Sequence, residues 1–230
     1  MSYCDYAPIL QEVADLAAAQ PMPEAEVQRY GDLVPDGLRE VWRRHGADLI
    51  VGEGRIQFCD PSPMRVALAP WFEGDAGLSI ERFVPFAYTS HGTILITDGS
   101  STLHDLDLAF SKLTVIRGQD SRPLDQRLTF SIEVSMRYLK QSKHDVDHHA
   151  KAVRAFGPLH LGEVFGWEPP FQVTLDASHQ IGKFTIADRI AQLQAIGPLE
   201  YHRAFRDEIE AAQYGGDSFI RCVGPEPLGG

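Results

Sequence analysis

If this chain carries out chemistry, the histidines are the first place to look. His144 and His148 stand four residues apart, and on a helix that spacing puts both imidazoles on one side, where they could share a transition metal. Asp145 and His149 make a second such pair on the adjacent face, and His160 and His179 could complete a site from elsewhere in the fold. Against this, Lys140, Lys143, Asp145 and Asp147 crowd the same segment, as on a solvated surface. The solvated face is the preferred reading. No metal or other cofactor is expected, and His144 and His148 are the candidate ligands should a metal bind.

Other reactive groupings are sparser. Asp105 and Asp107, two apart on a segment that reads as a strand, share one face, an arrangement suited to acid/base work or a hard cation. The plainer reading is the polar face of a half-buried strand. Ser90-His91 and Ser178-His179 set serine beside histidine, but chain neighbours seldom point at each other, and there is no G-x-S-x-G elbow. Cys59 sits at the end of a hairpin strand beside Asp60-Pro61, where a buried structural thiol is the default. The three cysteines, Cys4, Cys59 and Cys222, are widely separated and fit free thiols of a reducing compartment. No G-x-G-x-x-G, P-loop or H-E-x-x-H is present, and Gly52-x-Gly54 belongs to a turn. No catalytic residue can be assigned, and the chain is not expected to be an enzyme.

Composition narrows the alternatives. With 230 residues, 43% hydrophobic and 23% charged, the chain can bury a core as one large domain or two small ones. A net charge of -11 argues against direct nucleic-acid binding, which draws its affinity from Lys and Arg on phosphate. The same charge would speed encounter with a basic protein partner. The first residues carry neither a basic stretch nor an apolar stretch of the secretory kind, and no run nears 18 apolar residues. A cytoplasmic protein without a membrane span is expected; oligomeric state is not legible. Trp42, Trp71, Phe72, Phe165 and Trp167 should be core, and any left exposed would anchor a partner.

The elements that must position these residues are read from periodicity. Ile9, Leu10, Val13, Leu16 and Ala17 predict an amphipathic helix over 7–19, ended by Pro21 and Pro23. A second helix runs from Pro35 to His45 with Gly46 past its end. A hairpin follows at 49–51 and 56–58, then a short helix over 64–72 broken near Pro70. Strands are expected at 84–89, 93–97 and 103–108. Helices are expected at 124–138, 150–156, 185–196 and 201–214, and a strand at 171–175. The polar stretch 140–149 reads as a linker. The fold class is α+β, with helices packed on an antiparallel sheet and a smaller α+β C-terminal lobe. The expected divisions are 1–140, 150–214 and a tail over 215–230, whose Pro/Gly-rich end, 224–230, is expected to lack structure.

Two stretches carry a resemblance. Tyr30-Gly31-Asp32-Leu33-Val34-Pro35, the Leu38/Trp42/Gly46 helix, the hairpin from Gly54 to Asp60-Pro61 and the Thr89-Ser90-His91-Gly92-Thr93 turn make residues 24–139 similar to the GAD-like domain. Phe156-Gly157-Pro158-Leu159 and Glu163-Val164-Phe165-Gly166-Trp167 make 150–200 look like the small domain that often follows it. This order resembles the Tdi-type immunity proteins of type VI secretion systems, which bind and neutralise a secreted DNase toxin. The resemblance implies an inhibitor with a basic nuclease as its partner, whose binding surface on this chain is unknown. Three departures stand out: His91 where an aromatic is more usual, Asp176-Ala177-Ser178 in place of a Gly-Gly turn, and the added helix over 201–214. The alternatives are a metal-binding module or enzyme using the segment from His144 to His149, or a tRNA-linked accessory module, which the acidic charge disfavours.

Overall fold

The computed structural model describes residues 3–16, 19–73, 78–99, 103–115, 122–141, 148–171, 173, 178–197 and 219–223. The described residues form a seven-stranded antiparallel sheet and a separate two-stranded hairpin, with helices on the sheet's faces. The α+β expectation holds.

The sheet is a meander of β1 (Ile50–Val51), β2 (Ile56–Phe58), β3 (Val84–Thr89), β4 (Thr93–Thr97), β5 (Leu103–Asp107) and β6 (Lys112–Val115), closed at its far edge by β9 (Phe219–Cys222). Residues 219–222 fall in the expected tail, yet they pair with β6 from Lys112↔Cys222 to Val115↔Phe219. The open edge of β6 offers a full row of backbone partners, and such an edge is satisfied by pairing. That long-range pairing, not local composition, makes these residues a strand.

Alternation along the strands, with a register shift in β3 between Pro85 and Ala87, sends side chains to two cores. Ile56, Phe58, Val84, Phe86 and Leu95 face a cluster with Tyr6, Ile9, Leu38, Val41, Trp42, Leu128 and Ile132. That face is covered by α1 (Ala7–Leu10), α2 (Glu24–Arg29), α3 (Asp36–His45) and α5 (Leu124–Gln141). Tyr88, Ile94, Ile96, Leu106, Leu113 and Val115 face the second cluster, built with Leu68, Trp71, Val164, Ile190 and Leu193. Over it lie α4 (Pro61–Leu68), α7 (Ile186–Ile196) and the hairpin of β7 (Glu163–Glu168) and β8 (Gln180–Thr185).

Local signals explain most boundaries. Helix α3 puts Asp36 in its first turn and Arg43, Arg44 and His45 in its last, as the helix dipole favours. It stops at Gly46, whose φ of 79° suits glycine and whose missing side chain makes room for the Gln20 carbonyl. Asp60 caps α4 by accepting from the Ser62 N–H at 2.8 Å, with Pro61 in the first turn. Thr185 caps α7 from the Asp188 N–H at 3.0 Å.

Two expected elements fail. The helix over 7–19 is regular only at Ala7–Leu10; Val13 instead bridges Val51, and the Ala14 N–H donates to the Ile50 carbonyl. The free edge of β1 competes for the same backbone groups and wins. At the expected strand 171–175, Phe171 and Val173 lie in a turn, with the Val173 N–H donating to the Pro170 carbonyl; the other three residues are not among those described. The hairpin pairs 163–168 with 180–185 instead. The expected helix over 201–214 lies outside the described residues.

Candidate partner-binding cleft

The hairpin and α7 dock on the sheet through a buried polar junction. Gln57, fully buried on β2, donates from Nε2 to the Glu163 carbonyl at 2.7 Å. Its Oε1 accepts from the Tyr88 hydroxyl at 2.8 Å and from the Gly162 N–H at 3.0 Å. Burial is the main reason the Tyr88 phenol sits well above its usual pKa, so it stays a neutral donor. The backbone adds two ties, Phe165 N–H to the Ser90 carbonyl and Leu159 N–H to that of Glu53, while Ile186 N–H donates to the Gly162 carbonyl at the open end of the hairpin. Gly54, at φ 85°, lies so close that a Cβ there would meet Leu159 Cβ at 2.5 Å.

Beside this junction the surface opens into a cleft of about 290 Å³. Pro63, Met64 and Ala67 of α4 form one wall, and Ile186, Ala187 and Ile190 of α7 the other. Leu161, 47% exposed, stands at the mouth. The floor and rim carry Asp48, Cys59, Asp60 and Tyr88. Burial pushes the Cys59 thiol well above its normal value, and the carboxylates of Asp48 and Asp60 add to the effect. A thiol held protonated in this way is a poor nucleophile. Asp48 is also pushed up, mainly by partial burial and less by Asp60, against the lowering effect of the Asp60 N–H that it accepts.

Of the residues proposed from sequence for chemistry, His91, His148, His149 and His179 lie in or beside one aromatic cluster with Phe165, Trp167 and Phe171, and the others are scattered. His144 lies outside the described residues. His148 opens α6 (His148–Phe156), where it packs edge-on to Trp167 at 5.2 Å and 6.4 Å from the His91 ring, inside an aromatic cluster. His149 is buried against Phe165. His179 lies 4.4 Å from the Phe171 ring with Nδ1 at 2.7 Å from the Pro169 carbonyl. His160 lies before β7, where its N–H donates to Glu163. Among the described residues no three His, Cys, Asp or Glu gather as a metal site. Asp107 caps the turn after β5, accepting from the Ala109 and Phe110 N–H groups, and burial raises the Asp105 carboxyl. Ser90 is buried where β7 joins the sheet. Of the large aromatics, Trp42, Trp71, Phe72 and Phe165 are buried.

Residues 5–106 match the model of the GAD-like domain. A GAD-like domain is present in this chain. It spans α1 to β5 and includes Asp48, Cys59, Asp60 and Tyr88, while β6, β9 and α5 complete its sheet and core from beyond the matched stretch. No curated protein matches the chain. The crystal structure of Atu4351 from Agrobacterium tumefaciens is similar in fold, with a TM-score of 0.63 at 17% identity over 82% of this chain and 87% of that one. That likeness extends the shared fold well past the GAD-like domain. No helix among the described residues is long and apolar enough to cross a membrane.

Sequence reasoning named Cys59 and Asp60 but not the cleft. Asp48 and Ala187 were missed because nothing local marks them. They line one cleft only because α7 packs beside α4.

Proposed function

We propose that this protein is an immunity factor that binds a basic DNase toxin of a type VI secretion system and neutralises it by contact, without catalysis, in the cytoplasm. The GAD-like domain carries the reading, since that family is compatible with immunity proteins. The net charge of -11 supports it, because a nuclease must be basic where it holds DNA and an acidic inhibitor would be drawn to that surface. The residue chemistry is consistent with a binder. Cys59 is held as a neutral thiol, and Asp107 and Ser90 sit in structural positions.

The test is a pull-down with this protein from the lysate of its own organism, followed by a DNase assay of what is retained. The expected result is one basic partner whose DNase activity disappears when this protein is added back. Charge steering further predicts association that slows as salt is raised. Retention of a stoichiometric metal and of no nuclease would overturn the reading in favour of the histidine segment.

A further inference from the structure

We infer that the cleft between α4 and α7 is a receptor for one lysine or arginine side chain projected by the protein partner. The inference rests on the proposed function for the partner's identity and on the cleft's geometry for its chemistry. At about 290 Å³ the space lies just below the range of pockets for drug-sized ligands, about 300–1,000 Å³, and suits a single long side chain. Its walls, from Met64, Ala67, Ile186 and Ile190, are apolar, as the methylene stem of a basic residue requires. Its acidic groups supply the other half.

Asp48 and Asp60 each commit one oxygen to a backbone N–H, Asp48 to that of Asp60 at 3.2 Å and Asp60 to that of Ser62 at 2.8 Å. Among the described residues, neither makes an ion pair and neither second oxygen accepts a hydrogen bond. Cys59, more than nine-tenths buried and part of the core cluster on that face, adds to the apolar lining. Two carboxylates at the edge of an apolar cleft favour a cation whose methylene stem can pack against the cleft walls, and a neutral side chain would gain only the apolar contact. The cleft is walled by the GAD-like domain on one side and by α7 on the other, so it exists only when both are docked.

Two arms test this. In the first, methyl NMR follows Met64, Leu161, Ile186 and Ile190 while acetyl-Gly-Lys-Gly-amide, acetyl-Gly-Arg-Gly-amide or the norleucine equivalent is added to the full chain. Saturable shifts confined to the cleft are expected with the basic peptides, weak with norleucine, and lost in Asp48→Asn/Asp60→Asn, since asparagine still caps α4. No shifts, or equal shifts with norleucine, would overturn the inference. In the second arm, the retained nuclease is titrated against Ala187→Trp, which plugs the cleft, against Asp48→Asn/Asp60→Asn, and against Glu26→Gln/Asp36→Asn, which removes the same charge elsewhere. The first two should weaken binding about tenfold or more and the last by less than about threefold, with thermal midpoints confirming folding. Equal binding by all would overturn the cleft while leaving the immunity reading intact. Peptide binding without any nuclease partner would overturn the immunity reading while leaving the cleft as a basic-side-chain receptor.

Discussion

The two faces of the central sheet are built by the same alternation of side chains but finished differently. One is sealed by α1, α3 and α5 over a cluster that includes fully buried Trp42, Val41 and Phe86. The other is covered by α4, α7 and the β7–β8 hairpin, joined through the Gln57–Tyr88–Gly162 junction, and leaves an apolar cleft with acidic groups beside it. The first face is packed as core. The second holds a surface whose shape depends on how two parts of the chain dock, and there a binding role can be modulated without remaking the core.

The comparison can be broken from the sealed side first. Trp42→Ala removes a side chain with no exposure, packed edge-on to Tyr30 at 5.6 Å, and should cost about 3–5 kcal/mol in urea unfolding. Where the variant still folds, its affinity for the retained partner should match wild type. A large affinity loss in well-folded protein would mean that the sealed face also binds. Next is the seam. Gly54→Val adds a Cβ where Leu159 already stands and forces a β-branched residue to φ 85°, so a loss of about 1–3 kcal/mol is expected. Hydrogen exchange should speed first in β7, β8 and α7, and partner binding should fall with it. Uniform exchange across both faces would show that the seam is not a separate weak point.

The smallest effect is a pH dependence on the sealed side. Asp125 accepts from the Gly37 N–H at 3.0 Å and from the Tyr6 hydroxyl at 3.1 Å, yet burial outweighs both and raises its carboxyl. A raised folded value means the fold favours the protonated form. The stabilising contribution is therefore complete below the ordinary aspartate value and is lost as pH rises through the raised one. Against Asp125→Asn, wild type should lose relative stability from about pH 4 upward, read as urea midpoints. A flat difference would mean that the hydrogen bonds cancel the effect of burial, and a difference that grows in favour of wild type with pH would mean that they dominate.

The fold was legible wherever a local signal coincided with the final contact. Pro35-Asp36 and Gly46 bracket α3, the strand pairs 84–89 and 93–97 match their expected limits, and Thr185 marks the start of α7. It was illegible where a distant partner decides. Val13 leaves its helical pattern for the edge at Val51, and 219–222 become strand only because β6 has an edge to offer. The candidate site shows the same limit. The spacing that makes His148 a candidate ligand carries no sign of its packing on Trp167, and Asp48 and Ala187, which carry no signature, line one cleft only through the packing of α4 on α7. Part of the C-terminal resemblance, Glu163 to Trp167, corresponds to a physical feature, the docking of β7 on the sheet.

The most direct measurement is a titration of the retained nuclease's activity on DNA with this protein. The account predicts a linear fall to zero at a fixed stoichiometric ratio, with the fall shifted to higher ratios in Ala187→Trp. DNase activity unchanged at excess of this protein would contradict it.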